Sequence, residues 1–192
     1  MKPEFSRIYS EISAYKPVNE REEADKAVIL SCLERFDDVF DRSNALCHMT
    51  ASCWCVNAGM DKALMAYHNL YGSWAWLGGH ADGDTDLLRV AMKECMEESG
   101  LGHVSPVTRD IYSLEVLTVD GHIKRGAYVP SHLHLNVTYL LKADESEPLC
   151  RKEDENKAVK WFPLKEAVAA STEEWFKENV YSKLNEKLVL FR

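Results

Sequence analysis

Three glutamates stand close together in the middle of the sequence, at positions 94, 97 and 98. An α-helix turns by about 100° per residue, so Glu94, Glu97 and Glu98 would share an arc of about 100° on its surface. Apolar residues occupy another side of this helix and suit packing on a sheet: Leu88, Ala91, Met92, Cys95 and Met96. Three carboxylates this close repel one another, and a hard divalent cation would relieve the repulsion. The pattern predicts a helix with one packing face and one cation-binding face.

A cation held by carboxylates suits chemistry on a diphosphate. Mg²⁺ takes oxygen ligands, commonly bridges to substrate phosphates and neutralises their charge. A spare glutamate near an attacking water can accept its proton. Gly78 and Gly79 precede the helix and would let backbone groups approach a ligand closely, so a carbonyl near Gly79 is a further candidate metal ligand.

The glutamate-bearing helix is predicted to begin at Thr85 or Asp86 and to end at Ser99. Asp84 to Asp86 supply caps and negative charge at its start, and Gly100 supplies a left-handed stop. Strand-like segments flank it at Met49–Val56, Lys62–His68, Ile111–Val119, Leu133–Leu141 and Val159–Phe162. Strands, a helix, more strands and a terminal helix predict an α/β sandwich.

Both ends of the chain are predicted to be helical. Asn19 is the expected cap of an N-terminal helix, with Glu22 three residues later. Near the C-terminus, 171–174 resembles a capping box that opens a last helix. Its apolar residues are expected on one face: Trp175, Phe176, Val180 and Leu184. The polar stretch 142–157 is predicted to be an exposed loop.

The central stretch resembles the Nudix box, whose spacing is glycine, five residues, glutamate, seven residues, then Arg-Glu-apolar-any-Glu-Glu-any-Gly-apolar. The matching positions are Gly79, Glu94, Cys95, Glu97, Glu98, Gly100 and Leu101. Two positions depart from the pattern, since Thr85 replaces a glutamate and Lys93 replaces the arginine. The strand ending in Gly-Gly and the segment 160–164 are also similar to Nudix domains. The resemblance therefore covers residues 44–192, and residues 1–43 form an N-terminal helical extension.

The resemblance implies an α/β fold, a Nudix-type α/β/α sandwich with a mixed β-sheet. It also implies Mg²⁺- or Mn²⁺-dependent hydrolysis of the diphosphate bond of a nucleoside diphosphate linked to another moiety. Glu97 and Glu98 would be metal ligands together with a carbonyl near Gly79, and Glu94 would be a further ligand or the base. Glu94 and Glu97 are thus the expected catalytic residues. Lys93 offers its charge to Glu97 at i+4 but lacks the bidentate fork of arginine.

Four further residues are candidates for substrate contact. His132 and His134 alternate with leucines and so point to one face of a strand. His80 follows Gly79 and is a candidate for phosphate contact. Trp76 offers a ring that either stacks on a base or packs in the core.

Composition restricts the partners. The 192 residues hold 23 Lys and Arg against 31 Asp and Glu, a net charge of -8. This balance argues against nucleic acid and anionic lipid and favours a small-molecule partner. No apolar run approaches the ~18 residues of a membrane span, and the N-terminus lacks the apolar core of a signal peptide. We therefore expect a cytoplasmic protein with six free cysteines.

Two other functions stay open, as do the oligomeric state and the role of residues 1–43, which could pack on the domain, form a homodimer contact or select substrate. One is a non-catalytic Nudix-type nucleotide-binding module, which the departures at Thr85 and Lys93 favour. The other is a diphosphate isomerase, since prenyl-diphosphate isomerases resemble Nudix proteins. Isomerase chemistry would need a catalytic cysteine, for which Cys47 beside His48 is the candidate.

Overall fold

The computed structural model describes residues 2–124 and 126–192, and the chain forms two compact units. The first unit contains residues up to 51, 79–90 and 110–138, and the second contains 52–78, 91–109 and 139–192. The helices are α1 (Ser6–Ala14), α2 (Glu20–Arg35), α3 (Leu87–Ser99), α4 (Leu164–Ala170), α5 (Glu174–Phe176) and α6 (Ser182–Lys187), with 3-10 turns at Pro3–Phe5 and Leu188–Phe191 and a π-helical turn at Lys177–Tyr181. The strands are β1 (Cys47–Val56), β2 (Lys62–His68), β3 (Ser73–Ala75), β4 (Leu77–His80), β5 (Ser105–Pro106), β6 (Ser113–Val119), β7 (His122–Lys124), β8 (Ala127–Val129), β9 (His132–Lys142) and β10 (Asn156–Pro163).

Antiparallel pairs dominate both units. In the first unit β6 pairs with β9 from Ser113 opposite Thr138 to Val119 opposite His132. In the second unit β2 pairs with β10 along its whole length and with β3 on residues 66–68. β1 is buried at every position, and its first half alternates apolar residues with the buried polar residues His48, Thr50 and Ser52.

A parallel pair of strands makes the sheet mixed. Near the start of β1 and β9, the Leu133 N–H donates to the Leu46 carbonyl, and beyond their ends the Ala143 N–H donates to the Val56 carbonyl. The bonded positions advance in the same direction along both strands, so β1 and β9 are parallel. The combination of this parallel pair with antiparallel neighbours is the mixed sheet that the sequence resemblance implies.

Helix α3 has the boundaries that the sequence predicts to within two residues. Asp86 accepts a hydrogen bond from the Arg89 N–H at 3.2 Å, which satisfies one of the free donors of the first turn. At the other end Gly100 adopts φ +75°. The segment after the helix can therefore turn back sharply, and the Cys150 N–H donates to the Ser99 carbonyl at 2.7 Å.

Within the first unit α2 packs against β6, and α1 packs against α2. Asn19 caps α2 as predicted, because its Oδ1 accepts from the Glu22 N–H at 2.9 Å. The Glu22 carboxylate is fully buried and accepts from the Tyr15 hydroxyl at 2.7 Å. The Ser113 hydroxyl of β6 lies 2.7 Å from Glu22 Oε1 and 2.5 Å from Glu115 Oε1. The N-terminal helices therefore pack on the rest of the first unit. The predicted domain boundary at residue 43 stays a prediction.

The C-terminal helix differs from its prediction. It begins at Glu174, and Ser171 Oγ only accepts the Glu173 N–H at 3.3 Å ahead of it. The expected single apolar face is wrong for Trp175, which is 46% exposed, whereas Val180 and Leu184 are buried. The intervening π-helical turn holds more residues per turn than an α-helix, so it rotates the residues before it away from the face of those after it.

Among the described residues, no helix combines the length and the apolar character that crossing a membrane requires.

Candidate active site

Glu98 of α3 is buried in the second unit, with 4% of its surface exposed. Its Oε2 accepts from the Gly78 N–H at 2.9 Å and its Oε1 accepts from Asn156 Nδ2 at 3.3 Å. Each carboxylate oxygen keeps a lone pair beyond these bonds. The two neighbours therefore fix the orientation of Glu98 and leave it able to bind a cation.

Glu94 and Glu97 lie beside a shared lysine. Lys93 Nζ is 3.4 Å from an oxygen of each carboxylate, so the predicted contact of Lys93 with Glu97 at i+4 is confirmed. The Glu94 side chain is 13% exposed and that of Glu97 is 43% exposed. The Lys93 ammonium thus partly offsets the repulsion between the two carboxylates. It acts as a point charge and cannot form the bidentate hydrogen bonds of an arginine.

A second lysine reaches the glutamates from the segment before β10. Lys152 Nζ lies 3.9 Å from Glu97 Oε2 and 3.0 Å from Glu155 Oε1. Asn156, which holds Glu98, comes from the same stretch and is buried. The sequence-based description of 142–157 as an exposed loop is therefore incomplete, because its last residues line the glutamate cluster.

The electrostatics of the cluster penalise negative charge. Burial raises the pKa of Glu98 to about 8, and the hydrogen bonds from Gly78 and Asn156 only partly oppose this. Burial also raises the pKa of Glu94, against the lowering effect of Lys93. Buried carboxylates of raised pKa are typical of functional sites, because a cation or a transferred proton is then needed to complete them.

The raised pKa of Glu98 predicts how stability changes with pH when metal ions are removed by a chelator. The native protein then holds a proton on Glu98 at pH values where the unfolded chain, with a pKa near 4.5, has lost it. Binding of more protons by the native state makes the free energy of unfolding fall as pH rises from about 5 to about 8, by a few kcal/mol.

Urea unfolding at several pH values measures this change. We expect Glu98→Gln to flatten the slope relative to wild type, and the exposed Glu153→Gln variant to keep it. Identical slopes in wild type and Glu98→Gln would show that Glu98 does not carry the effect.

Gly79, whose carbonyl is a further predicted metal ligand, lies in the first unit together with Thr85. Gly79 is in β4, next to the Gly78 whose N–H binds Glu98, and its role as a carbonyl ligand stays a prediction. Thr85 lies between Asp84 and Asp86, and both aspartates accept hydrogen bonds from Arg89. Asp84 accepts two hydrogen bonds from the Arg89 guanidinium at 2.7 and 2.8 Å, and Asp86 caps α3.

The predicted substrate-contacting histidines come together in the first unit with His48, which the sequence indicated only as the neighbour of Cys47. His48, in β1, stands at the centre, with its ring centroid 5.1 Å from His80, 4.8 Å from His132 and 4.9 Å from His134. We call these residues the four-histidine cluster. Burial lowers the pKa of His48, which favours its neutral ring. In the sequence, members of this cluster were indicated by the alternation of His132 and His134 and by the position of His80 after Gly79.

Trp76 lies in the second unit among aromatic rings. Its centroid is 5.9 Å from Tyr181 and 6.4 Å from Phe176, both in edge contacts. This environment favours packing over base stacking. Its contact with substrate stays a prediction.

The known proteins that resemble this chain share its fold. A C. elegans Ap4A hydrolase, solved as a binary complex, is 17% identical over 74% of this chain and 96% of that chain, with a TM-score of 0.50. The E. coli dihydroneopterin triphosphate pyrophosphohydrolase is 13% identical over 75% and 96%, with a TM-score of 0.53. The MutT protein from Methanosarcina mazei Go1 is 14% identical over 72% and 93%, with a TM-score of 0.52. These likenesses confirm the predicted α/β/α sandwich with a mixed sheet.

Sequence comparison identifies the family. No curated protein matches the chain. The family model of the NUDIX domain matches residues 47–184, which is well over half of the sequence and includes all three glutamates. The chain therefore belongs to the Nudix family of pyrophosphohydrolases.

Proposed function

We propose that this protein hydrolyses the P–O–P bond of a nucleoside diphosphate linked to another moiety, with Mg²⁺ or Mn²⁺ held by the three glutamates of α3. The observation that carries the proposal is the cluster of Glu94, Glu97 and Glu98 within one unit, two of them largely buried. A simple solvated acidic face would leave all three exposed.

The residues present fit a hard divalent cation. Such ions take carboxylate and carbonyl oxygens, and the cluster offers three carboxylates whose remaining lone pairs face no other described hydrogen-bond donor except Lys93 and Lys152. Glu98 is already oriented by Gly78 and Asn156, so little conformational freedom is lost on binding. When bound, the cation supplies charge neutralisation of the diphosphate and acidification of water.

The glutamates divide into ligands and a base. Glu97 and Glu98 are the proposed ligands, together with the Gly79 carbonyl. Glu94 is a further ligand or the group that accepts the proton of the attacking water, and its raised pKa suits the second role because a base works best when its pKa approaches the working pH. Lys93 holds Glu94 and Glu97 together, and Lys152 supports Glu97.

The neighbours support the proposed substrate class. One is named for Ap4A and another for dihydroneopterin triphosphate, and both compounds contain P–O–P bonds. A small phosphorylated molecule also suits a chain of net charge -8, because a bound cation reverses the local field at the site.

The isomerase alternative finds no support at its candidate cysteine. Cys47 is 3% exposed, and burial raises the pKa of its thiol. A reactive cysteine is instead accessible and has a lowered pKa.

A substrate panel tests the proposal. Wild-type protein is incubated with ADP-ribose, nucleotide sugars, dinucleoside polyphosphates, NADH and nucleoside triphosphates, with Mg²⁺ or with chelator, and phosphate is detected after a coupled phosphatase. We expect turnover of at least one compound, present with Mg²⁺ and lost with chelator. Tight nucleotide binding without any turnover would support the binding module instead. In a separate assay on a prenyl diphosphate, an isomerised product would support the isomerase.

A further inference from the structure

The four-histidine cluster brings together imidazole rings from three strands. His48 comes from β1, His80 from β4, and His132 and His134 from β9. One ligand atom each from His48, His80 and His134 lies within 4.8 Å of the others. His132 Nε2 is 3.3 Å from His134 Nε2.

Backbone carbonyls determine which nitrogen of two rings carries the proton. His48 Nδ1 is 3.2 Å from the Asn44 carbonyl, and His132 Nδ1 is 2.9 Å from the Pro130 carbonyl. A carbonyl oxygen only accepts, so each Nδ1 must be the donor, and in a neutral ring the lone pair lies on Nε2. Metal-binding histidines are commonly oriented in this way by a carbonyl on the other nitrogen.

The lone pair of His48 is buried without a partner. Its Nε2 has no hydrogen-bond partner among the described residues, although the residue is only 4% exposed. Leaving a buried polar atom unsatisfied is costly, so such an atom calls for an explanation. The Nε2 atoms of His132 and His134 lie 3.3 Å apart, so two potential metal-binding nitrogens also stand side by side.

A metal ion bound by these nitrogens would explain both observations. Two nitrogens bound at about 2.1 Å to a tetrahedral ion stand about 3.4 Å apart, which matches the spacing of His132 and His134. The ligand atoms of His48, His80 and His134 lie within 4.8 Å of one another, and side-chain rotation would bring them to this spacing around an ion. Imidazole suits Zn²⁺, Co²⁺ or Ni²⁺, whereas Mg²⁺ takes oxygen ligands.

We propose that His48, His80, His132 and His134 form a second metal site, which binds Zn²⁺ or a similar transition-metal ion and fastens the strands β1, β4 and β9. Four protein ligands leave no open position, which is the arrangement of a structural site. The site differs in ligand chemistry from the glutamates and does not depend on the proposed hydrolysis. A nitrogen that binds the ion cannot also contact a phosphate, so the site is an alternative to direct substrate contact by these histidines.

Co²⁺ is the probe for this site, because its visible absorption reports ligand type and geometry. The full chain, freed of metal by chelation and returned to excess Mg²⁺, is titrated with Co²⁺. We expect one equivalent to bind with the bands of a tetrahedral nitrogen site and without thiolate charge transfer. His134→Gln and His48→Gln should each weaken binding by about tenfold or more, and His103→Gln, at an exposed histidine outside the cluster, should not.

Three results would overturn the proposal. They are no binding of Co²⁺ by wild type, equal affinity in wild type and His134→Gln, and a thiolate charge-transfer band that assigns the ion to cysteines. If the buried His48 variant does not fold, the half-buried His134 still decides. Inorganic phosphate that binds the metal-free protein through these histidines, without Co²⁺ binding, would also contradict the metal site.

Discussion

Glu97→Gln is expected to lower the turnover number by about 10²-fold or more while leaving the fold intact. Its side chain is 43% exposed and its described partners are the ammonium groups of Lys93 and Lys152, so the neutral amide removes little packing. It does remove a proposed ligand for the cation and the negative charge that the site needs. Effects of this size are usual when a group acts in the transition state.

Steady-state kinetics with the substrate found in the panel measure this loss, and urea unfolding shows whether the fold is kept. Glu153→Gln is the matched control, because it changes the same charge at an exposed position in the same unit. Glu98→Gln should lose as much activity and also change stability, since Glu98 is buried and bonded to Gly78 and Asn156. A Glu97→Gln enzyme as active as Glu153→Gln would remove Glu97 from the proposed site.

Gly100→Ala is expected to destabilise the protein by about 2–4 kcal/mol, which for a chain of this size lowers Tm by roughly 10 °C. Gly100 has φ +75°, where an L side chain is strained by about 1–2 kcal/mol. A Cβ there would also meet the Cβ of Cys150 at 2.5 Å and its backbone N and O at 2.8 Å. Because backbone atoms cannot move aside independently, either α3 or the segment that leads to Lys152 must shift.

Gly83→Ala separates strain from crowding. Gly83 has φ +88°, but a Cβ there would meet no atom within 4 Å, so this control should cost only about 1 kcal/mol. Thermal unfolding of both variants gives the comparison. Equal losses for Gly100→Ala and Gly83→Ala would show that the contact with Cys150 adds nothing.

The central helix could be predicted from the sequence because its signals are local. The cap at Asp86, the stop at Gly100 and the spacing of the glutamates all lie within one segment, and the structure has the helix at Leu87–Ser99. The strands β1, β2, β6 and β9 were likewise predictable, since their apolar runs and turn residues are local patterns.

The partners of the glutamates could not be predicted because they come from elsewhere in the chain. Lys152 and Asn156 lie in a polar stretch that has the composition of a solvated loop, and nothing local marks their contact with Glu97 and Glu98. The place of His48 among the other histidines could not be predicted for a similar reason, since its ring neighbours belong to other strands. The exposed Trp175 was misplaced because the π-helical turn that follows it has no clear sequence signal.

The most direct test of the central claim is a Mn²⁺ titration followed by electron paramagnetic resonance, in which the signal of free Mn²⁺ disappears as the ion binds. The four-histidine cluster is first saturated with Zn²⁺ so that the titration reports the carboxylates. We predict that wild type and Glu153→Gln bind Mn²⁺ equally, and that Glu97→Gln and Glu98→Gln bind it about tenfold or more weakly. Equal Mn²⁺ affinity in all four proteins would contradict a cation site formed by the glutamates of α3.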